Sequence, residues 1–79
     1  MRIELRLPHF DLPGTPVTVC SWHVKVGQKV FEGDRLVEVH AGDATIDLPA
    51  PASGVLTERC AAIDQTVSTG DVLARIEVE

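Results

Sequence analysis

Apolar residues alternate with polar ones in short runs along the whole chain. Ile3, Leu5 and Leu7 share one face of a first segment, and Val17 with Val19 begins another. Leu36, Val37 and Val39 form a third, Ile46 and Leu48 a fourth, and Val55 with Leu56 starts a fifth. Val72, Leu73, Ile76 and Val78 lie in the last. A period of two residues is the signature of strands with one buried face. Helical periodicity is absent. Glycine or proline at Pro8, Pro13, Gly14, Pro16, Gly27, Gly33, Gly42, Pro49, Pro51 and Gly54 leaves no room for an ordinary helix before the last third of the chain. Several short strands separated by turn residues predict an all-β sandwich or barrel. Residues 57–64 have some helical propensity, but their short length and β-rich surroundings favour an extended strand.

The chain also repeats itself. Residues 26–39 align without gaps on residues 63–76, at a constant offset of 37. Gln28/Gln65, Val30/Val67, Gly33/Gly70, Asp34/Asp71 and Leu36/Leu73 are identical pairs. Each copy reads as turn, short strand, Gly-Asp turn, longer strand. Glycine supplies a positive φ where the chain reverses, and aspartate bonds its own backbone there. Two copies are too few for a solenoid; they predict two similar sheets related by a pseudo-twofold axis.

Composition narrows the picture. The chain has 79 residues, which suits a single domain over 1–79. Its hydrophobic fraction is 44%, with one Trp, two Phe and no Tyr, so the core must come from Val, Leu, Ile and Ala. A domain this small buries only about 60% of the surface its unfolded chain exposes, so turns and strand pairing carry much of the specification. The net charge of −5 disfavours phosphate backbones and anionic membranes, and makes nucleic acid an unsuitable partner. No apolar run approaches the length needed to cross a bilayer, and no signal peptide is visible. Cys20 and Cys60 show no CxxC spacing and stand in apolar-rich stretches. They are expected as buried free thiols, which suits a cytoplasmic location.

These motifs together resemble a known family. The run from Trp22 to Val30, with Glu32-Gly33-Asp34 and Leu36 to Val39, looks like the first half of a lipoyl domain. Ala44 to Leu56 looks like the segment after the family's carrier lysine, and Gly70 to Ile76 like its closing strand. The start, Ile3 to Pro8, is similar to the amino-terminal strand of dihydrolipoyl acyltransferases. The resemblance to lipoyl/biotinyl carrier domains covers nearly the whole chain. It implies a flattened barrel of two four-stranded antiparallel sheets, a barrel-sandwich hybrid, with the carrier hairpin at one end and the termini at the other. It also implies a lysine at the hairpin tip that is acylated by lipoate or biotin and swings between active sites of a 2-oxo acid dehydrogenase or a carboxylase.

The tip departs from that pattern. The family reads Glu-Thr-Asp-Lys-Ala or Met-Lys-Met, whereas this chain reads His40-Ala41-Gly42-Asp43-Ala44. Loop length is kept, so Asp43 falls on the lysine's position. No lysine follows Lys29, and Lys25 and Lys29 match surface positions ahead of the first Gly-Asp turn. Lipoylation and biotinylation form an amide on a lysine ε-amine, which a carboxylate on a one-carbon stem cannot supply. Either the chain is a naturally lysine-free docking or structural module, or a carrier tip has been altered by engineering.

The expectation is therefore a noncatalytic domain without lipoate, biotin or metal, with a protein partner in or near a 2-oxo acid dehydrogenase complex. Two alternatives remain: a carrier whose handle lies elsewhere, at Cys20 or Cys60, and an adaptor-type barrel of a transporter. The latter usually contains a long helical hairpin where this chain has a four-residue loop. His40 and Asp43, three apart across the turn, are read as a solvated pair rather than ligands. His9 and His23 add no metal spacing, and Trp22 is read as a packing residue. Asp34 and Asp71 are read as turn-formers rather than an acid/base pair, and Pro49-Ala50-Pro51 as a rigid exit from the hairpin.

Overall fold

The computed structural model describes residues 1–11 and 13–78. These residues form eight strands and no helix: β1 (Arg2–Arg6), β2 (Val17–Trp22), β3 (Lys29–Val30), β4 (Arg35–Ala41), β5 (Ala44–Pro49), β6 (Gly54–Arg59), β7 (Thr66–Val67) and β8 (Val72–Val78). Two four-stranded sheets result, in the orders β1-β8-β6-β3 and β5-β4-β2-β7, and every pairing is antiparallel. The molecule is elongated, 38 × 18 × 18 Å.

The predicted alternation is clear in β4. Val37, Val39 and Ala41 are buried, while Glu38 and His40 face outward. In β8, Ala74 and Ile76 are buried and Glu77 is exposed. The core between the sheets is aliphatic: Val19, Val30, Val39, Leu56, Leu73 and Ile76 are completely buried. No polar side chain is buried among the described residues, so the interior carries no desolvation penalty of that kind. Phe10, Trp22 and Ile46 pack at its rim.

The pseudo-twofold relation extends beyond the repeat legible in the sequence. β3 and β7 are related by 37 residues, and so are β4 and β8. β2 and β6 obey the same offset with no identical residue between them. The repeated side chains perform the same work in both copies. Asp34 Oδ2 accepts the Phe31 N–H (2.9 Å), and Asp71 Oδ2 accepts the Ser68 N–H (2.8 Å). Gln28 Oε1 accepts the Lys25 N–H (3.1 Å), and Gln65 Oε1 accepts the Ala62 N–H (2.9 Å). The turn-forming role read for Asp34 and Asp71 is thus the observed one. Where the first copy has Gly27 at φ 93°, the second has Asp64 at φ 72°, a left-handed conformation that aspartate tolerates better than most residues.

The two halves are interlocked. The short strand β3 of the first copy pairs with β6 of the second, and β7 pairs with β2. The turns follow suit: Gly27 N–H donates to the Leu56 carbonyl (2.7 Å), and Asp64 N–H donates to the Val19 carbonyl (2.8 Å).

Two boundaries differ from the sequence expectation. β1 ends at Arg6, and Leu7 lies beyond it, buried, with its N–H donating to the Asp71 carbonyl (2.9 Å). Residues 57–64 contain no helix, but only 57–59 are strand. The chain then turns at Ile63-Asp64 because the interlocking bonds need that reversal.

Gly54 marks the tightest approach. A Cβ there would fall on the Glu77 carbonyl oxygen and lie 3.1 Å from Ile76 Cγ2. Backbone on a paired strand cannot give way cheaply, so Gly54→Ala is expected to destabilise the fold by about 3 kcal/mol. Urea unfolding monitored by circular dichroism measures this.

Candidate functional site

The site begins at the β4–β5 hairpin. Its register pairs Val39 with Ile46, His40 with Thr45 and Ala41 with Ala44. Only Gly42 and Asp43 remain as the turn. His40 and Ala41, expected within a four-residue loop, are therefore part of β4. Ala41 is buried, and burying it extends the ladder to the end of the hairpin. Gly42 takes φ 63° and Asp43 has no positive φ, as in a two-residue turn of type II′ with glycine first. Asp43 is exposed at the tip, and its carboxylate makes no hydrogen bond or ion pair among the described residues.

The β1–β2 connection runs beside the tip. A Cβ on Gly42 would lie 3.5 Å from Thr15 Cγ2. A groove of about 400 Å³ follows, lined by His9, Phe10, Pro16, Val17 and residues 66–69.

His40 and Asp43 are not joined. The pleat carries His40 to the outer face of its sheet, toward Glu38 and the neighbouring strand. There one ligand atom each of Cys20, Glu38 and His40 lies within 4.8 Å of the other two. Glu38 stands equally near His23 and Asp47. His23 Nε2 and Asp47 Oδ1 are 2.9 Å apart, and Arg35 Nη1 lies 3.4 Å from Asp47 Oδ2. The His23 hydrogen bond first, and the Arg35 charge with it, hold the Asp47 carboxyl below the usual aspartate range. The sequence offered no signal for this group, because its members come from β2, β4, β5 and the residue after β2.

Both cysteines are free, and both are half-buried rather than buried. Cys20 sits at an irregularity where Val19 pairs with Val39 and Ser21 already pairs with Glu38. The extra residue of such a bulge is left out of the ladder, and Cys20 follows Val19 on the opposite face of the strand. Cys60 follows β6, with its Sγ 3.3 Å from Arg75 Nη1. Burial raises both thiol pKa values, reinforced at Cys20 by Glu38 and at Cys60 by Glu58. Trp22 packs as expected: its indole N–H donates to the Ala61 carbonyl (3.0 Å), and Arg59 stacks 5.7 Å from the ring centre. Lys25 and Lys29 are exposed.

Comparison with known proteins decides the family. The profile described as "Biotin-requiring enzyme" matches residues 4–76. The chain belongs to the biotin/lipoyl family. The domain is 32% identical over 76 residues to the dihydrolipoyllysine-residue succinyltransferase component of the 2-oxoglutarate dehydrogenase complex of Haemophilus influenzae, covering 96% of this chain and 19% of that protein. It is 38% identical over 72 residues to the dihydrolipoyllysine-residue acetyltransferase component of the pyruvate dehydrogenase complex of Mycobacterium bovis, covering 91% of this chain and 13% of that protein. The chain thus spans a fifth or less of the length of these relatives. Among solved structures it resembles the lipoyl domain of the 2-oxoglutarate dehydrogenase complex from Azotobacter vinelandii, with a TM-score of 0.78, 27% identity and 95% of both chains covered. The likeness to that lipoyl domain extends over nearly the whole chain.

Two outcomes test the site's electrostatics. Raised thiol pKa values predict that Cys20 and Cys60 react with iodoacetamide at neutral pH more slowly than free cysteine, measured by mass spectrometry over time. A carboxyl with a depressed folded pKa stabilises the fold above its unfolded value and stops doing so as pH falls through the folded one. The stability difference between the wild type and Asp47→Asn is therefore expected to shrink as pH falls below about 4, as read from urea midpoints.

Proposed function

We propose that this is a noncatalytic lipoyl-type domain that carries neither lipoate nor biotin at its β4–β5 turn. It acts instead as a protein-interaction module of a 2-oxo acid dehydrogenase-type assembly. The observation that carries this reading is the tip itself. The hairpin and its two-residue turn are present, yet the residue that the family resemblance puts on the lysine's position is Asp43, and no lysine follows Lys29. An amide to lipoate or biotin needs an amine at that point, and a carboxylate offers none.

The partner class follows from the relatives, two of which are named as components of the 2-oxoglutarate and pyruvate dehydrogenase complexes. The net charge of −5 favours a basic protein face over nucleic acid. Two free thiols suit a reducing cytoplasm. Carriage through Cys20 or Cys60 has the weaker support, because both thiols are half-buried with raised pKa values.

Co-expression with lipoate and biotin ligases, followed by intact-mass measurement, tests the reading. The wild type is expected to keep its unmodified mass, and Asp43→Lys to gain a single lipoyl group. A lipoyl or biotinyl adduct on the wild type, at Lys25, Lys29 or any other residue, overturns it.

A further inference from the structure

We propose that Cys20, Glu38 and His40 form a binding site for a thiolate-seeking divalent cation, in the first instance Zn²⁺, on the outer face of the β5-β4-β2-β7 sheet. Two of the three ligands, Glu38 and His40, are two residues apart on β4 and so share one face. The third, Cys20, comes from the neighbouring strand β2, whose register shift leaves both Cys20 and Ser21 opposite Glu38.

The geometry suits the ion. Their ligand atoms lie within 4.8 Å of one another. A tetrahedral zinc with bonds of about 2.3 Å to sulfur and about 2.0 Å to nitrogen and oxygen needs ligand separations near 3.5 Å. The closure required is about 1 Å, within reach of side-chain rotation at a surface where Cys20 and Glu38 are half-buried and His40 is exposed. Thiolate, imidazole and a single carboxylate select a borderline-soft cation. Calcium and magnesium want a shell of oxygens that this set cannot provide. Three protein ligands leave the fourth position to water.

The side chains of Cys20, Glu38 and His40 make no hydrogen bond or ion pair with other described residues, so the donor atoms are not engaged elsewhere. The neighbouring acid and imidazole are engaged: Asp47 is held by His23 and Arg35. Glu38 and Asp64 raise the Cys20 pKa by charge, on top of burial. A cation would relieve the repulsion from Glu38, and the thiol proton would leave to solvent as the metal binds.

The pseudo-twofold axis supplies an internal comparison. At the offset of 37, Cys20, Glu38 and His40 correspond to Thr57, Arg75 and Glu77. Thr57 Oγ1 donates to the Arg75 carbonyl (3.0 Å), and Arg75 is paired with Glu58 (2.8 Å) and Glu4 (3.2 Å). The same frame therefore holds a closed ion-pair cluster on one sheet and an open donor set on the other. The fold does not require the donor set, so its assembly in one half only points to a ligand.

The test uses the whole chain, reduced and metal-free, titrated with Co²⁺ and then Zn²⁺. One equivalent of Co²⁺ is expected to produce a near-ultraviolet thiolate-to-cobalt band that Zn²⁺ abolishes. Cys20→Ser should remove the band. His40→Ala and Glu38→Gln should each weaken binding about 10-fold or more. Cys60→Ser and His23→Ala should leave it in place. Absence of the band with excess metal, its survival in Cys20→Ser, or its loss in Cys60→Ser would overturn the proposal. If Cys20→Ser does not fold, amide NMR of the wild type decides. Zn²⁺-induced shifts must centre on residues 20, 38 and 40, and shifts centred elsewhere refute the site.

Discussion

The structure rests on a reciprocal exchange of backbone hydrogen bonds between its two halves. Each copy of the repeat lends its short strand and its turn to the other copy's sheet. β3 closes the edge beside β6, β7 closes the edge beside β2, and the Gly27 and Asp64 turns bond the bulged strands opposite. Each sheet is complete only when both halves are present. This is how a thin aliphatic core suffices: the non-local pairings that close the sheets also cover the core at its edges.

That exchange separates what must be kept from what is free to vary. Gly54 packs against the backbone of Glu77, and Val19, Leu56, Leu73 and Ile76 fill the interior, so these positions are constrained by contact. The hairpin tip is not. Gly42 satisfies the turn, and Asp43 is exposed beyond it. The chemistry of that residue can be exchanged without disturbing a strand. The fold therefore accepts an aspartate at the tip of this hairpin without any change to the paired strands.

The outer faces of the sheets diverge in the same way. On the β1-β8-β6-β3 sheet, Arg75 bridges Glu4 and Glu58. On the other sheet the corresponding position is Glu38, and near it stand the Cys20 thiol and the imidazoles of His23 and His40, while the Arg35 guanidinium pairs with Asp47 instead. One backbone arrangement, used twice, presents two different chemistries because outward positions answer to their neighbours on the surface rather than to the core.

Sequence alone determined the strand alternation, the paired Gln and Gly-Asp turns and the absence of an amine after Lys29, because each is local: a period of two, a side chain bonding its own turn, a residue type. The family resemblance and the two-sheet architecture rested on the same features. It did not show that β2 matches β6, since those strands share a position in the fold and no residue. Nor did it show that the tip is a two-residue turn, that His40 turns away from Asp43, or that Cys20 meets Glu38 and His40. Those depend on register, and register is settled across strands. Alternation after Val17 and Val19 already puts Cys20 off the core face, but only the pairing of β2 with β4 brings it beside Glu38 and His40.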